Sequence, residues 1–182
     1  MIDSIKQFMA RSRALRYALA AAALVQASAA HAQFQRTPEP AIEPLAWVDS
    51  GYLTRQRALV DDITREEYGR ALRGDASDLE LLQRIVDDEL IKPMEVQKLQ
   101  ALGVVLGDVY VKDYPFEWKT YSDGQGKSRA VCLTSVSECI FPVTLIAKRA
   151  SRGLPVDVQD LYNKTLAHLQ PFLPRLPYSA RP

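Results

Sequence analysis

The hydrophobic period of this chain changes at Tyr114-Pro115. On the N-terminal side apolar residues recur at helical spacing. Leu53, Leu59, Val60, Ile63, Ala71 and Leu72 mark a first helix expected to end near Gly74. Leu79, Leu82, Ile85, Val86 and Leu90 mark a second, and Val96, Leu99, Leu102, Leu106 and Val109 a third. On the C-terminal side Phe116, Trp118 and Thr120 alternate with Glu117, Lys119 and Tyr121, the period of a half-buried strand. Asp123-Gly124-Gln125-Gly126 supplies a turn, and residues 128–134 and 138–142 read as two further short strands, close enough for an antiparallel meander. Phe141-Pro142 opens a helix over 143–152 that Gly153 stops. Asp157 is placed to cap a final helix with Val158, Leu161, Tyr162, Leu166 and Leu169 facing inward. The pattern predicts an α+β domain: three N-terminal helices, a small three-stranded antiparallel sheet and two C-terminal helices.

Local signals refine this order. Ser77-Asp78-Leu79-Glu80 has the spacing of a capping box at the start of the second helix, and Pro93 suits the first turn of the third. Gly103 and Gly107 lie four apart inside that third helix. A helix-interior glycine costs about 1 kcal/mol relative to alanine, so the pair predicts a close approach of another backbone on one face. Gly124 and Gly126 precede a strand rather than a helix, which excludes a phosphate-binding loop.

Residues 1–32 read as a secretory signal peptide. Lys6, Arg11, Arg13 and Arg16 form a basic region, Tyr17 to Val25 a short apolar core, and Ala30-His31-Ala32 a cleavage motif, so Gln33 is the expected mature start. The apolar core falls short of the ~20 residues that span a bilayer. The expected location is the periplasm, with no membrane span once the signal is removed. Residues 33–46 contain Pro38, Pro40 and Pro44 and read as an extended linker; residues 171–182 contain four further prolines and read as a tail. The expected folded unit is 47–170.

Charge and residue counts exclude several classes of chemistry. The full chain has 23 basic and 22 acidic residues, which gives no nucleic-acid footprint. The expected mature chain has 19 basic and 21 acidic residues, and His168 is its single histidine. That excludes two-histidine metal chelation; no metal or cofactor is expected. His168 falls in the last turn of the final helix, where it complements the helix dipole. Cys132 and Cys139 stand near facing ends of two neighbouring strands, which predicts a structural disulfide in an oxidising compartment. The acidic runs Asp61/Asp62, Glu66/Glu67 and Asp87/Asp88/Glu89 read as solvated helix faces. Asp108 differs, because it adjoins the buried stripe. An ion pair with Lys148 or Arg149 is expected, either tying helix to sheet or rimming a ligand pocket.

The stretches LLQRIVDDELI (81–91) and KLQALG (98–103) lead into LGVVLGD (102–108) and then Phe116-Glu117-Trp118. Phe141-Pro142 then runs into Ile146-Ala147-Lys148-Arg149, followed by Gly153 and Val156-Asp157. In this the chain resembles a bacterial domain family known as DUF3806, over about residues 52–163. The family name denotes unknown function, so the resemblance implies a fold and no catalytic residues. The two cysteines between Trp118 and Phe141 depart from its pattern.

The expected function is that of a non-catalytic module that binds another envelope protein, an immunity-type inhibitor of an envelope toxin being one concrete version. Lys119 and Tyr121, facing away from Phe116 and Trp118, are the candidate binding residues, with Asp108, Lys148 and Arg149 as a second set. The alternative is an envelope hydrolase using carboxylates near Asp108 and Asp123. A third reading is an accessory envelope protein tethered through its Pro-rich ends.

Overall fold

In the computed structural model, which describes residues 39–173, the strand alternation after Pro115 forms as expected. Strand β2 (Phe116–Asp123) pairs antiparallel with β3 (Gly126–Leu133) across the Asp123 turn, in the register Phe116 to Leu133, Trp118 to Val131 and Thr120 to Arg129. These pairs face the helices. Their alternates, Glu117 to Cys132, Lys119 to Ala130 and Tyr121 to Ser128, form the outer face. Strand β4 (Cys139–Ile140) pairs with Val131 and Cys132.

A fourth strand lies where a linker was expected. Strand β1 (Ala41–Pro44) pairs antiparallel with β2, setting Ile42 opposite Tyr121, so the sheet order is β1-β2-β3-β4. The sheet is therefore four-stranded rather than three-stranded. Proline is tolerated there because an edge strand leaves one row of backbone groups unpaired, where a missing N–H breaks no ladder bond. The predicted signal peptide (1–32) and the tail from Pro174 lie outside the described residues.

The described residues contain five α-helices. Helix α1 (Trp47–Tyr68) stops before the expected Gly74: Gly69 adopts φ +63° and its N–H bonds back to Arg65. Helix α2 (Asp78–Asp87) does not use the predicted capping box. Ser77 makes no side-chain cap; its N–H and hydroxyl donate to Asp75 instead. Helix α3 (Val96–Asp113) begins three residues after Pro93 and is the centre of the domain. Leu99, Leu102, Val104, Val105, Leu106, Val109 and Tyr110 are all buried, a wider face than the expected stripe, whose first residue, Val96, is exposed. Pro142–Thr144 form a short 3₁₀ turn leading into α4 (Leu145–Ala150), shorter than the predicted 143–152. Helix α5 (Val158–Leu169) is capped by Asp157, which accepts from the Asp160 N–H at 2.7 Å.

Both glycines of α3 take a close neighbour, which is another backbone, as predicted, at Gly103 and side chains at Gly107. A Cβ on Gly103 would overlap the carbonyls of Pro142 and Val143, and one on Gly107 would overlap the Trp118 ring and Pro142. The 3₁₀ turn and the first inward tryptophan therefore lie directly on the α3 backbone. Across the sheet, Cys132 and Cys139 are joined in a disulfide on its outer face, between residues directly opposite in register. No described helix is long and apolar enough to cross a membrane.

Candidate functional site

The predicted binding residues fall in three places. Asp108 points from α3 toward α1, not toward α4. Arg57 Nε and Nη2 donate to its two oxygens at 2.6 and 2.7 Å, and Trp118 Nε1 donates to Oδ1 at 2.8 Å. This corrects the expected pairing with Lys148 or Arg149. Arg149 Nε instead donates to the Pro155 carbonyl at 3.0 Å, closing the α4–α5 connection, and Lys148 is exposed. Arg57 enters because α1 packs along α3 and places its residues opposite the Gly107-Asp108 face. Hydrogen bonding to Asp108 raises the Arg57 pKa above its ordinary value, against the opposing effect of burial.

Around this pair lies a cleft of about 410 Å³, lined along α1 by Thr54, Arg57, Ala58, Asp61 and Arg65. Val105 and Asp108 of α3, with Leu72, Gly74 and Asp78, complete it. Asp61 is not the solvated carboxylate its acidic run implied. It accepts from Arg65 Nε at 2.6 Å and from the Leu72 N–H at 2.7 Å. Both bonds hold its carboxyl below the ordinary range, Arg65 most of all. Asp78 is fully buried. Its oxygens accept from the backbone N–H groups of Arg73 and Gly74 at 2.7 to 3.1 Å, tying the α1–α2 loop to the first turn of α2. Burial is the largest influence on Asp78 and raises its pKa in spite of those two amides. Composition shows the charges of this cleft, but nothing local in the sequence marks Arg57, Asp61 and Asp78 as its walls. Only the proximity of Asp108 to the buried stripe pointed here.

Lys119 and Tyr121 lie on the outer sheet face, where the strand alternation put them. Lys119 pairs with Glu117, and the Tyr121 ring meets Phe141 edge-on with centroids 5.0 Å apart. A second depression, about 400 Å³, is lined there by Ile42, Glu117, Lys119, Cys132 and the 133–137 loop. Asp123 takes part in neither site. It accepts from the N–H groups of Gln125 and Gly126 and closes the β2–β3 turn. Among the described residues, no set of three or more Cys, His, Asp or Glu side chains is gathered as a metal site.

Comparison with curated proteins finds no match. A solved structure of a protein from Bacteroides thetaiotaomicron VPI-5482, determined at 1.50 Å resolution, is similar in fold. Its TM-score is 0.66 at 19% identity, over 73% of this chain and 49% of that one. This chain thus spans about half the length of that protein. Residues 78–162 match the family model described as a domain of unknown function, DUF3806. The match begins at Asp78, so β1 and α1, which carry Arg57, Asp61 and Arg65, precede it. That match runs from the start of α2 into α5, and over this stretch the chain is similar to the DUF3806 family.

Proposed function

We propose that the chain is an exported, non-catalytic module of the periplasm that binds another envelope protein through the outer face of its sheet. The observation that carries this reading is the make-up of that face. Ile42, Tyr121, Phe141 and Val136 give it apolar and aromatic surface, and the Glu117–Lys119 pair gives it a charged rim. Protein interfaces have this arrangement of anchors and polar border. An immunity-type inhibitor of an envelope toxin is its most concrete form. A photo-crosslinking residue at Tyr121 should capture one discrete partner in the periplasm, and the same residue at exposed Gln159 of α5 should not. Equal capture from both positions would remove the outer face from consideration.

The hydrolase reading has one observation in its favour: a cleft holding Asp61 and Asp78, whose environments push their pKa values apart. Against it, Asp78 is buried and bonded on both oxygens, and Asp108 accepts three donors from Arg57 and Trp118. A general acid must reach the substrate with a proton to give. Loss of a measured polymer-hydrolysing activity in a folded Asp78→Asn or Asp108→Asn protein would reverse the choice.

A further inference from the structure

The hydrogen-bonding inventory of the α1–α3 cleft is one-sided. Its three carboxylates all have internal donors: Asp108 takes Arg57 and Trp118, Asp61 takes Arg65 and the Leu72 amide, and Asp78 takes the Arg73 and Gly74 amides. Its two arginines spend only part of theirs. Arg57 commits Nε and Nη2 to Asp108, and Arg65 commits Nε alone to Asp61. Among the described residues nothing accepts from Nη1 of Arg57 or from either Nη of Arg65. Each guanidinium therefore keeps an open edge, a planar fork that matches the two oxygens of a carboxylate. The carboxylates behind them already fix the two side chains, which lowers the ordering cost of binding.

The rest of the cleft narrows the ligand. Ala58, Leu72 and Val105 supply apolar wall. Arg57 and Arg65 stand two helical turns apart, about 12 Å along α1, with Asp61 between them. Two arginines against three aspartates disfavour a multiply charged anion such as phosphate. One carboxylate followed by neutral carbonyl acceptors and small apolar groups suits the walls better. The volume of about 410 Å³ lies within the range of small-ligand sites. We propose that this cleft binds the free C-terminal end of a short peptide, one arginine fork taking the terminal carboxylate and the other a backbone carbonyl. The site shares no lining residue with the depression on the outer sheet face, so it stands or falls separately from the partner surface proposed above.

The test is a ¹⁵N NMR titration of the full chain with N-acetyl-trialanine, as the free acid and as its C-terminal amide. The acid should shift the Nε–H signals of Arg57 and Arg65 and the amides of Leu72 and Gly74, and the amide form should bind at least about tenfold more weakly. Arg65 is 60% exposed, so Arg65→Ala should retain the fold yet weaken the acid about tenfold or more. Arg65→Lys, which keeps the charge and removes the fork, should weaken it similarly, while Tyr121→Ala should leave it unchanged. Three results would overturn the proposal: equal binding of acid and amide, inorganic phosphate binding more tightly than the acid, or no shift by about 10 mM acid.

Discussion

Asp61 and Asp78 line one cleft and are pushed in opposite directions from their ordinary value of 3.8. Arg65 and the Leu72 amide favour the charged form of Asp61. The stability it contributes is complete above the unfolded pKa and is lost as pH falls through the lower folded value. Asp78 is dominated by burial, which favours its neutral form. Its contribution is complete below the unfolded pKa and is lost as pH rises through the higher folded value. Urea unfolding of the protein and its Asp61→Asn and Asp78→Asn variants between about pH 3 and pH 7 separates the two. The advantage of the parent over Asp61→Asn should shrink toward acid. The advantage over Asp78→Asn should shrink away from acid, superimposed on a constant penalty for turning an amide donor toward the Arg73 and Gly74 N–H groups. Parallel slopes in the two comparisons would contradict this assignment.

At the scale of elements, the glycines of α1 and α3 make a controlled contrast. A Cβ on Gly103 meets backbone carbonyls, which cannot step aside as a flexible side chain can. Gly103→Ala should therefore destabilise by about 1–3 kcal/mol, the usual cost of overpacking, even though alanine is the better helix former. A Cβ on Gly51 meets only the Arg55 guanidinium tip at 3.4 Å, so Gly51→Ala should stabilise by about 0.5–1 kcal/mol. Chemical denaturation of both variants reads the two signs directly. The α3 pair was legible in the sequence because a glycine inside an apolar helix requires a close neighbour. The Phe116–Thr120 alternation and the Asp157 cap were legible for the same kind of local reason. Strand β1 was not: four residues with a terminal proline carry no alternation, and the strand exists only because β2 offers it an edge. The Arg57–Asp108 bond was not legible either. Its partners lie 51 residues apart, and helical periodicity gives the face of each residue without saying which helices meet. The loop role of Asp78 was hidden by the resemblance of its surroundings to a capping box, a motif that assigns the bond to Ser77.

For the whole molecule, the disulfide links the fold to the compartment in which it is made. Helix α3 is buried mainly through contacts with α1, α2, α4 and the Pro142–Thr144 turn, and β4 adds Ile140 to the same core. Strand β4, by contrast, is two residues long and is held by pairing with Val131 and Cys132, the Leu133 N–H bond to Glu138, and the Cys132–Cys139 bridge. Closing an eight-residue loop with that bridge is worth about 2.5 kcal/mol in the chain-entropy account. Cys132→Ser/Cys139→Ser should therefore lower stability by about 2–3 kcal/mol and keep the helical half folded. Amide exchange should rise in residues 134–141 and stay unchanged in α3. The same bridge tests the export reading. Protein recovered from the periplasm should start at Gln33 by intact mass and show no reactive thiol when denatured. Protein made in a reducing cytosol without residues 1–32 should show two thiols and the stability of the double-serine variant. A product that keeps Met1, or a periplasmic product with both thiols free, would separate the bridge from export and leave the outer sheet face without its expected compartment.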